Sequence, residues 1–250
     1  MTDLSKLIAD SSATLSRIAS DFSPAVFASS LAAEDMVLTD LILKSKLDIG
    51  IFSLETGRLH AETLAMIDRV KDKYGYQIAL YRPQPEAVER YVRDHGLNAF
   101  YDSVEMRKEC CRIRKVEPLG QALAGKRAWI TGQRRAQSST RAALAVQEDD
   151  LAHDMQKFNP LADWSEQDIW DYLRQNDVPY NALHDRGYPS IGCEPCTRAV
   201  APGEDVRAGR WWWENPDSKE CGLHMVDGKL IRIKSVAAEE DFMLTTKTIG

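Results

Sequence analysis

Apolar residues recur three or four apart at Leu4, Leu7, Ile8, Leu15 and Ile18, a spacing that predicts an amphipathic helix over residues 4–20. The pattern then changes period. Pro24–Ser29 (PAVFAS) reads as a short buried strand, followed by a turn of small residues, Ser30–Ala33, and a helix from Glu34 to Lys44. The alternation repeats with a strand at Leu47–Leu54, a break at Thr56–Gly57, a helix through Lys73 and a third strand at Tyr76–Tyr81. Residues 86–95 read as helix and Arg127–Thr131 as a fourth strand. Strands alternating with helices predict an α/β fold, a mostly parallel sheet with helices on both faces. Further on, Ser165 and Asp168 form a capping-box pattern before the helix EQDIWDYLRQN, whose Ile169, Trp170, Tyr172 and Leu173 are expected in the core. Residues 177–203 are rich in proline and glycine and read as ordered loop.

Ligands of such sheets lie beyond the carboxyl ends of the strands. The segments expected there are Ser29–Asp35, Leu54–Arg58 and Thr131–Arg141, all rich in small, hydroxyl or basic residues, as an anionic nucleotide site requires. Charge sharpens this reading. Val104–Arg141 holds ten Lys and Arg against three Glu, a local +7 in a chain whose total is −6. A nucleic-acid binder spreads positive charge over a broad face, whereas a concentrated basic stretch in an acidic chain fits a small polyanion. With 250 residues, 44% hydrophobic and 28% charged, the chain fits one large soluble domain, or a domain with a small appendage, that needs no disulfide to build a core. No apolar run approaches the length of a membrane span, and the N-terminus MTDLSKLIAD lacks a signal-peptide pattern, so a cytoplasmic location without membrane attachment is expected.

Five cysteines, an odd number, make a disulfide framework unlikely to be the plan: Cys110 and Cys111 are adjacent, Cys193 and Cys196 form a C-x-x-C, and Cys221 stands apart. Four thiolates can hold zinc or an iron–sulfur cluster. A vicinal pair suits a zinc knuckle poorly, because neighbouring helical residues diverge by about 100°, while the separated corners of an iron–sulfur cube accept that divergence. Four small buried core residues are the third reading of the same spacing.

Several stretches together carry a resemblance: RKECCRIRKVEPL (Arg107–Leu119), TGQRRAQSSTR (Thr131–Arg141), NPLADWSEQDIWDY (Asn159–Tyr172), GYPSIGCEPCTR (Gly187–Arg198), GRWWWE (Gly209–Glu214) and KECGLH (Lys219–His224). With the Ala33–Asp35 loop they span residues 33–224, and the sequence is similar to the assimilatory adenylyl-sulfate (APS) reductases of the phosphoadenylyl-sulfate reductase family. The resemblance implies an adenine nucleotide alpha hydrolase-like fold in two parts. These are a nucleotide-binding and iron–sulfur reductase domain over residues 1–210 and a C-terminal segment, 211–250, with the catalytic cysteine. It also implies a [4Fe–4S] cluster on Cys110, Cys111, Cys193 and Cys196, and reduction of APS to sulfite and AMP in sulfate assimilation and cysteine biosynthesis. Cys221, outside the cluster set, is then the nucleophile that forms an S-sulfocysteine. Thioredoxin or glutaredoxin is the expected reductant, its dithiol expected on a separate partner, and a homo-oligomer is compatible with the resemblance.

By the same resemblance Arg141, Arg207 and Arg210 line the phosphosulfate path, and Ser29, Glu34, Leu54, Thr56 and Gly132 hold the adenosine and phosphates. His224 is assigned to orienting substrate or thiol. Lys115 also has a geometric reason: it lies four residues after Cys111, so an α-helix places both on one face, between cluster and substrate charges. Either Arg134 or Arg135 can pair with the acidic stretch Glu148–Asp171, and Trp211–Trp213 are expected to pack the tail onto the body. The loop Ser29–Asp35 (SSLAAED) departs from the S-G-G-x-D-S pattern of ATP pyrophosphatases, which argues against ATP cleavage because close backbone approach to a triphosphate favours glycine. Alternatives within reach are a 3′-phosphoadenylyl-sulfate or dual-substrate reductase and a cluster-bearing tRNA thiolation enzyme. The last predicts an intact glycine loop and a broad basic face, and a non-enzymatic metal sensor predicts a dispensable Cys221.

Overall fold

The computed structural model of the chain describes residues 3–138 and 141–214. Helix α1 (Leu4–Asp21) opens the fold with Asp3 as N-cap, its side chain accepting from the Ser5 and Lys6 N–H groups. β1 (Ala25–Ala28), α2 (Ala33–Lys44), β2 (Ile49–Leu54), α3 (Ala61–Tyr74), β3 (Ala79–Tyr81) and α4 (Pro85–His95) follow in the expected alternation. Next come α5 (Val104–Cys111), a π-helical turn (Arg112–Val116) and α6 (Glu117–Leu123), then β4 (Ala128–Ile130), β5 (Gln147–Asp150), β6 (Met155–Phe158) and α7 (Glu166–Gln175). Ser165 and Asp168 form the capping box that starts α7.

The strands order as β3-β2-β1-β4-β6-β5, with every pair parallel except β5 against β6. Alternate strand residues face opposite layers. Ala25 and Phe27 of β1 and Ala128 and Ile130 of β4 join a large core with α1, α2, α3 and α7. Val26 and Trp129, with Phe52 of β2, join a smaller core under Leu119, Ala122 and Leu123 of α6. Helices therefore cover both faces, as the period-2 strands require.

The structure adds two strands that the pattern did not predict. β5 is Gln-Glu-Asp-Asp and β6 Met-Gln-Lys-Phe, too polar to read as strands; β5 is held by pairing with β6 at the sheet edge. The third strand is shorter than predicted, since Tyr76 lies outside it and its hydroxyl accepts the Ile51 N–H at 2.9 Å. The helix after Thr56–Gly57 starts only at Ala61, because the preceding residues bind the C-x-x-C loop: Leu59 bridges Cys193, and the Glu194 N–H donates to the Arg58 carbonyl at 2.8 Å. Residues 211–214 pack on the body, and the rest of the expected C-terminal segment, with Cys221 and His224, lies outside the described residues. Among the described residues no helix is long and apolar enough to cross a membrane.

β1 leads to one side of the sheet through β2 and β3, and β4 lies on its other side. The loops leaving β1 and β4 part in opposite directions at that reversal, which opens a crevice at their carboxyl ends.

Candidate active site

A cavity of about 500 Å³ occupies this crevice. Ser29, Glu34, Leu54, Thr56, Lys115, Gly132, Arg141, Arg207 and Arg210, which come from five separate stretches of sequence, all line it, and so does Cys193. The three segments expected beyond the strand ends do meet there. One end is apolar, with Phe52, Leu54, Leu119 and Trp129 beside each other, and suits a base; the other is basic.

The nucleotide loop keeps its turn without glycine. Leu31, fully buried, adopts a left-handed φ of 63°, and Asp35 folds back so that the Ser30 N–H and hydroxyl both donate to its carboxylate at 2.5 Å. Burial pushes the Asp35 carboxyl up to about 7, against those two hydrogen bonds. This folding also explains Gly132: a Cβ there would sit 2.1 Å from Asp35 Oδ1. Glu34 is held by Arg134, whose Nε and Nη2 donate to Oε1 at 3.0 and 2.8 Å, and by Gln137 at 2.9 Å. Of the two arginines that could pair with Glu148–Asp171, Arg135 does so, at Asp163, while Arg134 pairs with Glu34.

At the basic end, Arg210 donates to the Ile191 carbonyl at 3.2 Å and lies 4.8 Å over the Trp211 ring. Gly192 makes room for that guanidinium, since a Cβ would meet Nη2 at 2.4 Å. Arg141 bonds Gln137, and the Arg207 N–H donates to Asp205 at 2.8 Å.

The cysteines lie just behind this end. Cys111, Cys193 and Cys196 are buried, Cys110 is half-buried, and none of the four is in a disulfide. Phe100, Trp211 and Trp213 pack around Cys110, Cys193 and Cys196. Thr56 Oγ1 lies 3.3 Å from Cys193 Sγ, joining cavity to cysteines. Burial raises the Cys110 thiol, and neighbouring Cys193 adds to this, while Arg114 and Lys115 oppose it. Burial likewise pushes Cys196 up to about 12, with Cys193 and Cys110 adding and Lys115 and Arg210 opposing. The turn carrying Lys115 is π-helical and not the α-helix expected, and the Lys115 charge bears on Cys110 and Cys196.

No group of three or more His, Cys, Asp or Glu among the described residues is arranged to hold a metal ion. The donors nonetheless suit an iron–sulfur cluster in kind. They are four cysteines outside any disulfide, three of them in one apolar cluster, and burial raises the Cys110 and Cys196 thiols while nearby cations favour their thiolates.

The sequence reading passed over Arg114, whose Nη1 donates to the Thr56 carbonyl at 2.7 Å and which bonds Cys110. It also passed over Gln137, which lies within TGQRRAQSSTR but does not stand out by spacing, and His184, which lies in none of the matching stretches. The three Trp residues do pack on the body as expected, and Trp211, held between Arg107 and Arg210, also lines the cavity.

Comparison with known proteins agrees with this geometry. The chain is 65% identical over 213 residues to an adenosine 5′-phosphosulfate reductase of Burkholderia cepacia, with 85% of each chain covered. A phosphoadenylyl-sulfate reductase from Candida auris, solved as a phosphate complex, superposes with a TM-score of 0.66 at 25% identity, over 79% of this chain and 96% of that one. An NH3-dependent NAD synthetase from Campylobacter jejuni shares the fold at a TM-score of 0.53 and 11% identity, over 75% of this chain and 80% of that one. The family described as the phosphoadenosine phosphosulfate reductase domain matches residues 24–199, the stretch that builds most of the crevice and the cysteine loop, and the chain belongs to that family.

Proposed function

We propose that the chain reduces adenosine 5′-phosphosulfate to sulfite and AMP, with Cys221 as nucleophile and a thioredoxin-like dithiol as reductant. The observation that carries this reading is the convergence of residues as far apart as Ser29 and Arg210 on one cavity with an apolar end, a basic end and a cysteine in its wall. The identity to adenosine 5′-phosphosulfate reductases supports the choice of substrate.

The adenine lies at the Leu54 end, and the phosphosulfate among Lys115, Arg141, Arg207 and Arg210, which offset the charge that repels an incoming thiolate. The Cys221 thiolate attacks the sulfur, an S–S bond forms, the S–O bond to phosphate breaks, and AMP departs as a stable anion. A thiolate of the reductant then attacks Cys221 Sγ, its electron pair leaves on sulfite, and the second thiol resolves the mixed disulfide. Cys110, Cys111, Cys193 and Cys196 would hold the [4Fe–4S] cluster, which supplies structural order and a fixed negative charge near the phosphosulfate. Lys115, acting on both the cysteines and the cavity, moderates that charge for the substrate. The reaction is assigned to the cytoplasm and to sulfate assimilation, in keeping with cysteine spacings that do not form a disulfide framework.

Incubation with sulfur-labelled APS and no reductant is the test. A labelled sulfo group on the Cys221 peptide, absent from Cys221→Ser, is expected; label elsewhere, or sulfite release by the variant, refutes the assignment. The 3′-phosphorylated substrate in a parallel arm decides between single and dual use.

A further inference from the structure

The N-terminus of α2 carries no side-chain cap of its own. Ala32 stands at the N-cap, and the Ala33 N–H donates instead to His184 Nε2 at 3.2 Å, a residue 151 positions away. This matters because the turn before α2 is the glycine-free nucleotide loop, with Leu31 in the left-handed region. That loop is held inside by Asp35 and from β4 by Arg134 and Gln137 through Glu34. His184 supplies the hold from the third side. It sits at the start of the turn that leads through Ser190 and Ile191 to Cys193, and its ring also bonds the Tyr188 backbone and packs edge-on to Trp170 at 5.3 Å. One imidazole therefore touches the nucleotide loop, helix α7 and the segment that delivers a cysteine to the cavity wall.

We infer that His184 is a positioning residue whose neutral imidazole ties the nucleotide loop to the cysteine-bearing loop, so that tight APS binding requires it unprotonated. An imidazole accepting at Nε2 carries its proton on Nδ1; a second proton would set two donors against each other and add positive charge at a helix N-terminus. The charged groups facing the ring are Glu34 on α2, Glu166 on α7 and Asp185 in its own turn, all favouring protonation, and burial outweighs them to hold the pKa below its ordinary value. Asp35 lies in the same cavity and titrates in its own right.

This inference rests on the proposed APS site, and its test keeps the two apart. APS binding is measured on anaerobically prepared full-length protein carrying Cys221→Ser to prevent turnover, between about pH 8 and about pH 5, where APS keeps its charge. His184→Gln keeps an acceptor oxygen near the Nε2 position but cannot gain a proton, and shares every other titrating group. Affinity of the His184 protein is expected to fall as pH falls through the imidazole pKa, while His184→Gln lacks that component. His184→Ala should bind about three- to tenfold more weakly at pH 8, the worth of one hydrogen bond. Superimposable pH profiles, or undiminished binding by His184→Ala, overturn the tie and leave the site reading intact; absence of APS binding in the Cys221→Ser protein at every pH overturns both. Histidine 15N NMR gives a reading free of variants: a proton on Nδ1 at neutral pH supports the tie, and one on Nε2 refutes it.

Discussion

Replacing Arg107 by methionine probes the joint between the cysteine-bearing helix α5 and the segment that leads towards Cys221. The guanidinium is fully buried; its Nε and Nη2 each donate to the Glu214 carboxylate at 2.8 Å, and its face lies 4.6 Å over the Trp211 ring. Trp211 is itself strained, with a left-handed φ of 42°, so it depends on being clamped. Arg107→Met removes the cation from a carboxylate only 3% exposed, a change that costs about 3–5 kcal/mol when one partner of a buried pair is lost. For a chain of this size each kcal/mol lowers the thermal midpoint by about 2 °C or more, so a fall of roughly 6–10 °C is expected. The double variant Arg107→Met with Glu214→Leu buries no charge and should regain most of the loss. The assay is thermal and urea unfolding of anaerobically purified full chain near neutral pH, followed by tryptophan fluorescence. A single variant within about 1 kcal/mol of the parent, or a double variant no more stable than the single, would refute the reasoning.

Two further outcomes follow from the nucleotide loop. Gly132→Ala drives a Cβ into Asp35 and should raise the APS KM about tenfold or more, the equivalent of some 1.4 kcal/mol, with the fold intact by circular dichroism; unchanged KM would count against the packing. Asp35, lifted to about 7 from a carboxylate's ordinary 3.8, binds its proton more tightly folded than unfolded, so its contribution to stability is full below about pH 4 and is lost as pH rises towards 7. Asp35→Asn should remove that part of the slope, and equal pH dependence of the urea midpoint in both proteins would sink the argument.

Legibility followed the range of the interactions. β1 and β4 were readable because both faces of a central parallel strand are buried, which forces short apolar runs such as Ala25–Ala28 and Ala128–Ile130. β5 and β6 were not, since an edge pair such as Gln147–Asp150 with Met155–Phe158 is stabilised by backbone bonds that any side chain permits. Glu34, Lys115, Arg141, Arg207, Arg210 and Cys193, all named from sequence, line one cavity, whereas Cys110, Cys111 and Cys196 are not in its lining. Which of Arg134 and Arg135 meets the acidic stretch was not legible, because the ion pair between residues 34 and 134 exists only once β1 and β4 lie side by side.

The amino-acid sequence alone determined the alternating architecture, the concentration of cations, and the grouping of four cysteines apart from a fifth, because hydrophobic period and covalent spacing are local properties. Only the tertiary structure decided that Asp35 fills the place a glycine at 132 leaves open, that the Lys115 charge bears on Cys196 of another loop, and that His184 caps a helix it does not belong to. Each of these is a contact between distant segments, and its energy depends on burial and orientation that arise only when the layers close.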